Sequence, residues 1–109
     1  MTDREMTNRE KQDNILRAEL NAETAQMAWK ELLRFFAAGT VIFIGKELDL
    51  VDVALHMSRD DKDVIAQWLE QGGIAKVTDQ QAKAWLEADL MLWTVVVRPW
   101  ILVQPEKAA

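Results

Sequence analysis

The chain has 109 residues, five tryptophans, no tyrosine, no cysteine and a formal net charge of −5. That length suits one domain, able to bury roughly two-thirds of the surface its unfolded form exposes. The missing cysteines exclude disulfides, thiol catalysis, iron–sulfur clusters and cysteine zinc sites.

The acidity is uneven. Counting Asp and Glu against Lys and Arg, residues 1–20 carry −1, 21–46 carry +1, 47–63 carry −4 and 64–109 carry −1. An acidic surface repels phosphate backbones, so nucleic acid is disfavoured as a partner. Residues 1–17 are highly charged and lack the apolar centre of a secretory signal. No apolar run approaches the roughly 20 residues of a membrane helix. A cytoplasmic location, away from membranes, is expected.

Residues 1–14 read as a polar, disordered lead-in. Ile15, Leu16 and Leu20 add a short helical turn at most. Asn21 then reads as an N-cap. Ala25, Ala28, Trp29, Leu32, Leu33 and Phe36 follow at helical spacing, so a helix of four to five turns is expected up to Gly39. Thr40–Ile44 is β-branched and aromatic on both sides, the pattern of an inner strand. Asp49 caps a helix carrying Leu50, Val51, Val53, Ala54 and Met57. Val64, Ile65, Trp68 and Leu69 mark another, stopped by Gly72-Gly73.

Ile74–Val77 reads as a short strand or extended connector. Thr78 and Gln81 have the spacing of a capping box, opening a helix with Ala82, Trp85 and Leu86 inward. Leu92–Val97 and Trp100–Val103 read as strands, with Pro99 marking an edge, a bulge or a turn between them. The fold class is therefore α+β: about four helices on one face of a small antiparallel or mixed sheet, with a helix-turn-helix-like helical pair. A single domain spans residues 15–104, and residues 105–109 form a tail.

Four groups of residues carry the functional reading. The helical pair from Leu50 to Leu69 resembles a DNA-reading helix-turn-helix, and the late strands give it a winged-helix outline. Against this, the second helix opens with Asp60, Asp61 and Asp63, which face phosphates badly and equally well serve as first-turn residues. The acidic run lacks the alternation and glycine of a calcium loop. Asp52 and His56, four apart on a helix, have the spacing of an acid–base pair or two metal ligands. A surface hydrogen bond explains them as well. Lastly, Arg98-Pro99-Trp100 places two residue types favoured at binding hot spots beside an expected edge strand. An inward Trp100 with a solvated Arg98 is the plainer alternative.

Several segments carry a family resemblance. They are Leu20–Ala25, Trp29–Leu32, Phe35–Gly39, Leu48–Ala54, Asp60-Asp61, Trp68-Leu69 and the closing Val95–Gln104. Together they resemble a small bacterial family of unknown function (domain of unknown function 2288), over about residues 16–104. The resemblance implies a bacterial protein and brings no activity, cofactor or catalytic residue.

No phosphate-binding loop, dinucleotide fingerprint or nucleophile elbow is present. No catalytic residue, metal or cofactor is assigned. The favoured function is a non-enzymatic protein-interaction module, self-associating or binding another protein through the C-terminal strand region, with Arg98, Pro99 and Trp100 as candidate contacts. The alternatives are a winged-helix-like DNA-binding regulator and a small metal-dependent enzyme using Asp52 and His56.

Overall fold

The computed structural model describes residues 7–105. Helix α1 (Asn8–Glu23) opens on a capping box: the Glu10 amide donates to Thr7 Oγ1 at 3.1 Å, and the Glu10 carboxylate accepts from the Thr7 amide. The expected lead-in lies outside the described residues over 1–6, and over 8–14 it is corrected to helix. The cap starts the helix, and Arg59–Asp13 and Arg17–Asp52 ion pairs at 2.9 Å tie it to the helix beneath. Leu16 and Leu20 supply its apolar contacts.

The single helix expected after Asn21 is also corrected. The chain leaves α1 at Thr24, whose hydroxyl donates to the Leu20 carbonyl. It then runs extended as β1 (Ala25–Ala28), turns through a 3-10 segment (Trp29–Leu32) and forms the short α2 (Leu33–Ala37). Ala, Gln and Met favour helices by only tenths of a kcal/mol, and backbone pairing outweighs that. The extended passage also carries the chain from one face of the sheet to the other. Leu20 packs in one core and Trp29 in the second.

Strand β2 (Val41–Ile44) leads to α3 (Leu50–Ser58), where the Asp49 carboxylate accepts from the Asp52 amide. Helix α4 (Lys62–Gln71) ends at Gly72, at φ +79°, and β3 (Ile74–Lys76) runs back beneath it. The Thr78–Gln81 capping box opens α5 (Asp79–Glu87). Strands β4 (Met91–Val97) and β5 (Trp100–Gln104) form an antiparallel hairpin, with a cis Arg98–Pro99 peptide at its tip.

The sheet is mixed, in the order β1-β4-β5-β2-β3, with only the β2–β5 pair parallel. Alternate residues of the inner strands serve two cores. Ile42, Ile44, Val95 and Leu102 face α1, α3 and α4. Val41, Leu92, Ile101 and Val103 face the 3-10 segment, α2 and α5. Helices therefore cover both faces, correcting the expectation of one. The cause is visible in β2, β4 and β5, which are apolar at both parities and need cover on each side.

Candidate functional site

Helix α4 is the least deeply set of the longer helices over its face: none of its residues is fully buried, and Leu69 is 55% exposed. Its partners below are the short edge strand β3, β2 and the tip of the β4–β5 hairpin. Between helix and sheet lies a groove of about 600 Å³. Ile65 and Leu69 of α4 line one wall, and Ile42, Val97 and Trp100 of the sheet line the other.

Its charged lining is Lys62, Lys76, Arg98 and a single carboxylate, Asp60. Lys62 lies 3.8 Å from Asp60, but both side chains are mostly in water, at 82% and 77% exposure. Such a pair holds neither partner firmly. Among the described residues, neither Lys76 nor Arg98 has a carboxylate within 4.0 Å. The groove thus joins apolar walls to a positive rim on a chain whose net charge is −5.

Arg98 and Trp100 line this groove, and Pro99 stands exposed at the hairpin tip between them. Trp100 is partly buried against the core shared by α3 and α4. The expectation that these residues sit by an edge strand is corrected. The sheet places β4 and β5 inside, each paired on both sides, and the edges are β1 and β3. Pro99 marks a turn. Its missing N–H costs no ladder bond there.

Asp52 and His56 are in loose contact, and each has a closer partner. His56 Nδ1 lies 2.8 Å from Asp61 Oδ2, whereas Nε2 is 3.9 Å from Asp52 Oδ1. Asp52 is held instead by Arg17 at 2.9 Å. The His56 ring also stands edge-on to Trp68, with centroids 5.4 Å apart. These contacts tie the α3–α4 turn to α3, and α3 to α1. Among the described residues, no three His, Asp or Glu side chains gather as a metal ion requires.

Sequence reasoning missed Lys62, Lys76 and Leu69. Their signal was faint. Val64-Ile65 and Trp68-Leu69 make two adjacent apolar rows, a stripe broader than a helix over a three-residue edge strand can bury.

Among the described residues, no helix is long and apolar enough to cross a membrane. No curated protein gives a significant match. The chain is similar to PA1075 from Pseudomonas aeruginosa, known from an NMR solution structure: the two are 43% identical, 98% of each chain is covered, and the TM-score is 0.75. A family model described as "Protein of unknown function (DUF2288)" matches residues 15–105, and the chain belongs to that family.

Proposed function

We propose that the protein is a non-enzymatic interaction module whose recognition site is the groove between α4 and the hairpin tip. The observation that carries this reading is the pairing of an open apolar groove with two cations, Lys76 and Arg98, that lack a carboxylate partner among the described residues. Grooves of about 300–1,000 Å³ with apolar walls and a few polar groups are typical binding sites. The partner is apolar and negatively charged. A cytoplasmic location belongs to this reading and fits the cysteine-free sequence.

The other readings find less support. Between Asp60 and Glu70, α4 and its lead-in offer Lys62 against Asp60, Asp61, Asp63 and Glu70, a poor face for phosphates. The His56 contacts tie structure together. Strand pairing by a second copy at the C-terminal region has no free edge to use, so the proposed partner is a different molecule. Sedimentation at micromolar concentration checks this: a stable dimer dissolved by Trp100→Ala would reverse it.

Titration with the apolar anion anilinonaphthalene sulfonate tests the site. The folded protein should bind it at one site, and Ala66→Trp should remove that binding without changing the urea midpoint, because Ala66 lines the groove and is exposed. A folded protein that does not bind, or that binds equally after Ala66→Trp, would overturn the reading.

A further inference from the structure

We infer that the occupant of the groove is a small amphipathic anion, an unbranched apolar chain ending in a carboxylate or phosphate, with the head held by Arg98 and Lys76. The inference rests on the groove being the recognition site.

The cations converge at one end. The chain reverses at Gly72-Gly73, so the first turn of α4, with Lys62, and the last residue of β3, Lys76, lie toward the same end of the groove. Lys76 Nζ lies 3.9 Å from where a Cβ on Gly39 would stand, in the loop that enters β2. The Ile101 amide donates to the Thr40 carbonyl in the same loop, so the hairpin tip with Arg98 is at this end as well. A guanidinium offers a planar fork matched to two oxygens of a carboxylate or phosphate, and an ammonium adds a compact charge. Both would gain a partner that the described residues do not provide.

The walls define the rest of the ligand. Ile65, Leu69 and Val97 offer carbon surface only, and Trp100 adds an aromatic ring with a single N–H donor, which suits a largely hydrocarbon chain. The volume, about 600 Å³, falls in the small-molecule range. A helical protein segment needs a long open trough for anchors spread over two turns. The lining here runs along α4 only from Lys62 to Leu69, with its cations gathered at one end, which suits a single short chain.

The test uses decanoate, decyl phosphate and neutral decanol, all below micelle-forming concentrations, followed through NMR shifts of the Trp100 indole N–H. At least one anion should bind about tenfold more tightly than decanol, as a charge-assisted contact adds to the same apolar burial. Arg98→Gln and Lys76→Gln should each erode that preference severalfold while leaving decanol binding unchanged. Comparing the two anions tells which head group is preferred. If decanol binds as tightly as both anions, the anion assignment falls while the groove stands. If anilinonaphthalene sulfonate binds and none of the three does, an occupant of another kind, a protein segment included, replaces this one. If nothing binds, the site itself is refuted.

Discussion

The indole N–H of Trp29 donates to the carbonyl of Ala82 at 3.0 Å, across 53 residues of sequence and between two fully or nearly buried groups. Phe36 and Trp85 stand edge-on to the same ring, at centroid distances of 5.6 and 5.1 Å. One side chain thereby fastens α5 to the 3-10 segment. Trp29→Ala should cost about 3–5 kcal/mol through cavity and lost burial. Trp29→Phe keeps an aromatic ring but loses the donor, and should cost roughly half as much. Urea unfolding of the two variants separates packing from hydrogen bonding.

Gln104 is fully buried at the end of β5. Its amide nitrogen donates to the carbonyls of Gly45 at 2.9 Å and Leu48 at 2.8 Å, while its oxygen has no partner among the described residues. Gln104→Leu removes two useful bonds and one unpaired oxygen together, and should cost about 1–3 kcal/mol. Gln104→Glu should cost more, because an ionised carboxylate accepts and does not donate, and it would face two carbonyls in a dry site. If Gln104→Glu proved the milder change in urea melts, this account of the turn would be wrong.

The ion pairs should divide by burial. Arg59 and Asp13 meet at 2.9 Å with side chains mostly covered, and they link the end of α3 to α1. Arg59→Met should destabilise by about 1–2 kcal/mol, more than an exposed pair contributes, since Asp13 is left part-buried without its partner. Lys62→Met should change stability by under about 0.5 kcal/mol, because its contact with Asp60 is in open water. Thermal melts in low and high salt should show the same order.

Gly72 and Gly73 answer to different constraints. At Gly72 φ is +79° and nothing stands within 4 Å of a Cβ, so Gly72→Ala should cost about 1–2 kcal/mol through backbone strain alone. Gly72→Asn should cost less, since asparagine tolerates this region better. At Gly73 the added carbon would meet the Leu48 methyl at 2.9 Å. The far end of a leucine can move, so pairing Gly73→Ala with Leu48→Ala should recover part of the loss. Chemical denaturation of the double variant measures that coupling.

Local chemistry was the legible part of the sequence. The Asp49 cap, the Thr78–Gln81 box, the Gly72 stop and the two-sided strand at Val41–Ile44 depend on neighbours a few residues away, and each stands where its residues indicated. Ala25–Ala28 was illegible because its side chains favour a helix and its strand state is set by β4, 69 residues distant at Ala25↔Thr94. The start of α1 had a readable sign, Thr7 three residues before Glu10, obscured by a segment with no apolar stripe. Of the candidate site, Arg98 and Trp100 were found from their residue types. Lys62, Lys76 and Leu69 join them only because the chain reverses at Gly72-Gly73, and spacing along the sequence does not reveal that.

The hairpin formed by β4 and β5 separates β1 from β2, pairing with the first through β4 and with the second through β5. The strands made earlier therefore have no way to zip together by themselves, apart from the short β2–β3 ladder. During synthesis, the two apolar layers stay open until both β4 and β5 are available. A chain stalled before Trp100 presents those layers to chaperones and proteases. The sheet is closed by β5, so a chain that carries this strand and one cut before it differ in the apolar surface they expose.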